Sequence, residues 1–312
     1  MSEDAYSRPT SVPEMRARME SFVTPEGLKI AQEYRPAPSD VFVVTPPKCG
    51  TTWMQQIVHG LRTRGSMDFD NINQVVPWLQ MAYDMGQSLE DPQGARPHAF
   101  KTHSPLGEVP KGGRYIAVLR EPTDALMSQY RFFEGAFFET GSIDIETFAR
   151  DFYLTRSEFP PSGIAVHSHL LASWSRRHDP DVLLLCYENM KADLPSTVER
   201  VAQFIDIELD QELLKLVVRQ SSIEFMKLHE NKFDDSEALE SIRHRMKLPP
   251  TPSLSKVVDG QVGASSTTVP DVIKQQIRQA WTTEVTPHTG LATYHDLIQE
   301  LSCQALSPKG VR

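Results

Sequence analysis

The stretch Thr45-Pro46-Pro47-Lys48-Cys49-Gly50-Thr51-Thr52-Trp53 has the residue types and spacing to hold an anion. Gly50 permits a tight turn, and the N–H groups of Thr51 and Thr52 fall at a helix start, where unpaired donors and the dipole favour negative charge. Lys48 adds a full positive charge and the two threonines add hydroxyls. A Walker A loop, GxxxxGK[ST], places its Lys after the second Gly; here Lys48 precedes the only Gly, which disfavours a nucleoside triphosphatase. Two other positions could do chemistry. His103, in Phe100-Lys101-Thr102-His103-Ser104-Pro105, carries an imidazole that titrates near working pH and can take a proton from an alcohol. Arg120 carries the planar fork that grips oxyanions.

Each of these residues follows an apolar run that must position it. Val41 to Val44, bounded by Asp40 and by Pro46-Pro47, predicts a strand buried on both faces. Met54, Ile57, Val58 and Leu61 predict a helix from Thr51 that Gly65 stops. Ala99–Thr102, Tyr115–Leu119 and Val182–Tyr187 predict further strands. Helices are expected over Thr123–Phe133, Ile164–Arg177, Pro195–Phe204, Gln211–Val218, Asp271–Thr283 and Tyr294–Leu301. Strands alternating with helices imply right-handed crossovers and a parallel sheet, whose ligands collect beyond the carboxyl ends of the strands. The expected fold class is therefore α/β: one domain with a central parallel β-sheet flanked by helices and a P-loop-like strand–loop–helix. Residues 1–38, rich in Pro, Ser and charge, read as a flexible lead-in, 39–303 as the domain and 304–312 as a tail. The polar, turn-prone text from Asp234 to Thr268 reads as a lid or binding segment.

Composition narrows the function. With 32 basic and 41 acidic side chains the net charge is −9, so no general field attracts nucleic acid or an anionic membrane, and any polyanion site must be local. Cys49, Cys186 and Cys303 are odd in number and show no CxxC or Cys/His spacing, which argues against a disulfide scaffold or a structural zinc; no metal is expected. The start lacks an apolar signal region and no apolar run reaches the roughly 18 residues of a membrane span, so a cytoplasmic location is expected.

The loop at 45–53 resembles the donor loop of the cytosolic sulfotransferase family, approximately Tyr-Pro-Lys-Ser-Gly-Thr-Thr-Trp, with Pro46 for the Tyr and Cys49 for the Ser. The likeness runs from about residue 40 to 300. It implies sulfuryl transfer from 3′-phosphoadenosine 5′-phosphosulfate (PAPS) to a hydroxyl or amine of a small acceptor. It also implies His103 of the Lys-Thr-His-x-Pro motif as the base, Lys48 beside the leaving group and Lys101 in support. Lys48, Cys49, Gly50, Thr51, Thr52 and Trp53 would hold the donor, and Arg120 with Ser128 its 3′-phosphate. Tyr187, in Tyr187-Glu188-Asn189-Met190-Lys191, would lie near the adenine, with Ser221 and Ile223 where the family has Thr-Ser-Phe. Trp78, Tyr83, Phe132, Phe133, Phe137, Phe138 and Phe159 fall in segments that line the acceptor pocket in relatives, suggesting an apolar or aromatic acceptor.

The chain departs from the family in three places. Val258 and Asp259 replace the Arg-Lys pair before Gly260, and Lys256, Arg243, Arg245 or Lys247 is expected to supply the missing charge on the 3′-phosphate. Ile223 replaces an aromatic, so stacking on one adenine face is lost. The dimer motif survives only as Thr268-Val269, with Ala264 and Ile273 at its charged ends, which implies a monomer or a weak homodimer. Two rival readings stand beside this one: a P-loop nucleotide kinase using ATP and magnesium, and a non-catalytic module that binds a phosphoadenosine nucleotide.

Overall fold

The computed structural model describes residues 6–155, 165–250, 263 and 268–306. Four short strands pair in parallel: β1 (Val41–Val44), β2 (Ala99–Thr102), β3 (Arg114–Leu119) and β4 (Val182–Cys186), in the order β2-β1-β3-β4. Every residue of β1 is fully buried because both faces of the sheet are covered. Val41, Val43, Ile116, Val118 and Leu185 pack on one side against the helices Thr51–Arg62, Leu194–Phe204 and Gln211–Gln220. Ala117, Leu119, Leu184 and Cys186 pack on the other, against Pro122–Phe133, Ala165–Trp174 and the C-terminal helix Tyr294–Leu306. Near the strand starts, Phe100, Phe42 and Tyr115 stack across β2, β1 and β3 with ring centroids 5.5 and 5.6 Å apart, fixing the register Phe42↔Phe100 and Phe42↔Tyr115.

That register sets the geometry of the site. Val44 lies opposite Thr102, so β1 and β2 end level and the loop at 45–50 runs beside His103. β3 and β4 end level with each other, Leu119 opposite Cys186, which brings Arg120 and Tyr187 side by side. The expected strand Val182–Tyr187 stops one residue short, and Tyr187 opens the helix Tyr187–Ala192. The connection from β2 to β3 holds only a single 3₁₀ turn, Leu106–Glu108.

Residues 1–38 are not a loose lead-in over their described part. Val12–Met19 and Pro25–Glu33 are helices capped by the Ser11 and Thr24 side chains, each with a proline in its first turn. Val12, Met15, Met19 and Val23 bury into the main core, and the Tyr34 hydroxyl donates to Asp40 at 2.8 Å. The prolines and serines that read as breakers are helix starts. No helix among the described residues is long and apolar enough to cross a membrane.

Candidate functional site

Two left-handed residues, Lys48 (φ 65°) and Gly50 (φ 94°), turn the chain from β1 into the helix Thr51–Arg62. Only glycine fits at 50: a Cβ there would stand 2.9 Å from the Tyr187 ring. The helix begins without a side-chain cap, so its first N–H groups stay open to an anion. Cys49 is fully buried, its Sγ toward the Pro47 carbonyl at 3.6 Å, and burial pushes its thiol far above the usual range; its side chain is packing. The hydroxyls of Thr45 and Thr51 share a hydrogen bond of 2.5 Å that braces the loop. Thr52, half-buried, stands beside them.

An aromatic and cationic edge adjoins this loop. Arg120 donates from Nη1 to the Lys48 carbonyl at 3.2 Å and lies over the Tyr187 ring at 4.6 Å; its buried Nε has no hydrogen-bond partner among the described residues. The contact ties the ends of β1 and β3, the switch point of a sheet with this strand order. Trp53 meets Tyr187 edge-on at 5.3 Å and donates from Nε1 to the Ser221 carbonyl at 2.8 Å. Ile223 opens the next helix with 36% of its surface exposed, an apolar face beside Ser221. Ser128 lies half-buried on the helix Pro122–Phe133, two turns beyond Arg120.

On the other side of Lys48 stands His103. Its Nδ1–H donates to the Thr45 carbonyl at 2.9 Å, which leaves the lone pair on Nε2. Burial, followed by the nearby Lys101 ammonium, lowers its pKa to about 3, so the ring is neutral and a proton acceptor at neutral pH. Lys101 is itself 2% exposed, with its Nζ 4.4 Å from the Trp78 ring centroid and 3.7 Å from Asp235. Trp78 meets the imidazole edge-on at 4.9 Å. Behind the site, His169 donates from Nε2 to the His103 carbonyl at 3.1 Å.

Lys48 and His103 line one cavity of about 920 Å³, open solvent at its mouth included. Trp78, Phe132, Phe133 and Phe137 form much of its wall, and the Lys48 Nζ lies 4.3 Å from the Phe132 ring centroid. Met19, Phe22 and Val23 from the N-terminal segment, with Ala238, Leu239 and Ile242 from the helix Ser236–Arg243, close it. The arrangement combines an uncapped helix start, a lysine and a neutral imidazole beside an apolar chamber.

The profile of the sulfotransferase domain matches residues 38–249. The chain belongs to this family. It is 29% identical to the amine sulfotransferase of Oryctolagus cuniculus over 60% of the chain and 63% of the relative. It is 28% identical to the luciferin sulfotransferase of Photinus pyralis over 68% of the chain and 62% of the relative. The matches thus span less than two thirds of the length of either enzyme. The fold is also that of retinol dehydratase solved with retinol and PAP, with a TM-score of 0.66, 18% identity and coverage of 92% of this chain and 97% of that one.

Within this sulfotransferase domain several expected positions fall elsewhere. Arg245, expected among the sources of the missing cation, donates to the Ser21 and Phe22 carbonyls and pairs with Asp84 at 3.1 Å, tying the segment after the helix Ser236–Arg243 to the N-terminal turn. Arg243 pairs with Glu240 at 3.0 Å. Phe138 is core, and Tyr83 is half exposed outside the cavity. Val269 and Ile273 are buried in this chain's own core. Lys256, Val258, Asp259, Gly260, Ala264 and Phe159 lie outside the described residues. The sequence reading missed Met19, Phe22, Val23, Gln129 and Asp235 as cavity wall. For Gln129 a signal existed: it stands three and four residues before Phe132 and Phe133, on the same helix face.

Proposed function

We propose that the protein transfers a sulfuryl group from PAPS to a hydroxyl or amine of a small, apolar or aromatic acceptor. The observation that carries this reading is the convergence of Lys48 and His103 on one apolar cavity beyond the ends of β1 and β2. The chain's own groups suit the donor: the uncapped helix start and Lys48 for the phosphosulfate, the orphaned Nε of Arg120 with Ser128 for the 3′-phosphate, and Trp53 with Tyr187 for the adenine. Ile223 offers an apolar contact in place of a stacking ring. PAPS supplies the sulfuryl group and its leaving phosphate.

In the transfer, the acceptor oxygen or nitrogen bonds to sulfur as the bridging S–O bond breaks and its electron pair goes to the phosphate. His103 Nε2 takes the acceptor's proton, with its ring aimed by the Nδ1–H bond to Thr45. Lys48 and the N–H groups of Thr51 and Thr52 face the growing negative charge, a preorganised arrangement whose single donors are typically worth about 10²- to 10³-fold in rate. Lys101, held against Trp78 and Asp235, supports both ends and adds to burial in keeping His103 unprotonated. The protein would work as a monomer or weak homodimer in a reducing compartment such as the cytoplasm, consistent with its unpaired Cys49, Cys186 and Cys303.

The test is incubation with ³⁵S-labelled PAPS and a panel of phenols, alcohols, amines and sterols without added magnesium. Label on an acceptor supports the reading. Binding of the desulfated nucleotide with no labelled product from any acceptor class refutes transfer.

A further inference from the structure

Among the polar side chains that line the acceptor cavity, Gln129 stands apart. Gln80 donates to the Thr102 hydroxyl at 2.8 Å and to the Ser104 hydroxyl at 3.2 Å, so both Gln80 and Ser104 are held by the protein. His103 is fixed through Nδ1, and Asp235 stands at ion-pair distance from Lys101. Gln129 is 6% exposed, lines the cavity, and its side chain makes no hydrogen bond to any described residue. Its amide atoms are not sealed in the protein as those of Gln55 and Gln56 partly are; the surface they keep is cavity surface. A buried carboxamide in an apolar wall is costly unless something pairs with it, and Gln129 lines the cavity proposed for the acceptor.

We propose that Gln129 reads a second, uncharged hydrogen-bonding group on the acceptor, distinct from the group that is sulfated. The preferred acceptor class is then a flat or ringed apolar body with one reacting hydroxyl or amine and one further neutral oxygen or nitrogen function. Position supports this. Gln129, Phe132 and Phe133 share one face of the helix Pro122–Phe133, so the amide is set among the rings that would flank the body of the acceptor. The group it meets is neutral because the amide carries no charge, and the cavity's carboxylate, Asp235, already faces Lys101. A site built to pair with such a group discriminates against the analogue that lacks it, since the amide is then left unpaired.

This inference rests on the sulfuryl-transfer reading, and the experiment separates the two. Equilibrium binding is measured by calorimetry, with the desulfated nucleotide present, for a set of naphthols and for the same naphthols carrying one acetyl group at several ring positions. The full chain is expected to bind the best acetyl isomer about three- to tenfold more tightly than its parent. Gln129→Leu should erase that ratio by weakening the acetylated isomer alone; Gln129→Met, closer in length, guards against a misfolded leucine variant, with the thermal midpoint as the check. Equal weakening of both series, an unchanged ratio in both variants, or no acetyl preference at any position in the unmodified protein would each overturn the role of Gln129. Binding with the ratio intact but without sulfated product would support Gln129 while counting against sulfuryl transfer.

Discussion

His103 combines two properties that pull against each other in water: it is a base, yet its pKa is far below that of free imidazole. Burial and Lys101 remove the charged form, and the Thr45 carbonyl fixes the tautomer that leaves Nε2 able to accept. His103→Ala should therefore lower turnover by about 10²- to 10⁴-fold while binding of the desulfated nucleotide, measured by calorimetry, stays within a factor of two or so. Lys101→Met removes the neighbouring ammonium, so the His103 pKa in the nucleotide-free protein should rise. An NMR titration of the imidazole checks this: no protonation from pH 8 to 5 in the parent, and a transition displaced upward in the variant. No displacement would mean that Lys101 does not face the ring. At this scale much was legible, because Lys48, His103 and Arg120 each close an apolar run and the chemistry of their side chains is unambiguous. Gln129 and Asp235 were not, since a lone Gln on a helix or a lone Asp before one carries no periodic signal and gains meaning only from the space in front of it. Nor could spacing show that Cys49 and Thr51 turn inward while Thr52 does not.

At the level of the element, the turn between β1 and its helix depends on Gly50. Gly50→Ala demands a left-handed alanine and drives a methyl group into Tyr187. The backbone term alone is about 1–2 kcal/mol. The expected result is a lowered thermal midpoint together with weaker nucleotide binding, because the displaced ring is the one that meets Trp53 and Arg120. A midpoint and affinity equal to the parent's would show the loop to be pliable. The N-terminal helices make a second case. They and the turn between them supply Met19, Phe22 and Val23 to the cavity wall, so Phe22→Ala should weaken acceptor binding several-fold and leave nucleotide affinity unchanged. The strands and major helices were readable from β-branched runs and from apolar spacing of three and four. The N-terminal pair was not, because Ser11-Val12-Pro13 and Thr24-Pro25 signal a helix start and a chain break with the same residues.

For the molecule as a whole, burial of neutral histidines sets a lower pH limit. His59 and His169 are lowered to about 4 and His103 to about 3, each first by burial. Below about pH 6.5 the unfolded chain binds protons at these sites that the folded chain refuses, so their contribution to stability is lost progressively as pH falls. Glu121 and Glu188, raised by burial, act with the opposite sign: they hold protons better when folded, and their effect is lost as pH rises above the ordinary carboxyl range. With His98, also lowered first by burial, four histidines stand against two glutamates, which predicts a net fall in thermal midpoint between pH 6.5 and 5, read by calorimetry. His59→Gln should flatten the slope, and an identical slope in that variant would remove His59 from the account. The sheet order and the meeting of four distant segments around one chamber followed from alternation only in outline; their closeness is a product of register, which a sequence shows poorly.

The stitching of the N-terminal segment to residues 245–247 has a consequence for synthesis. Arg18 donates to the Lys247 carbonyl and Arg245 to the Ser21 carbonyl, contacts that join positions 229 and 224 residues apart. The apolar stripe of Val12, Met15 and Met19 packs with Met81, Phe133 and Phe137 but also with Met246 and Leu248, so the last part of its cover is made long after it. Such long closures come late in folding. Until those residues are made the stripe lacks part of its cover, and a chaperone that binds short apolar helices would find its target there.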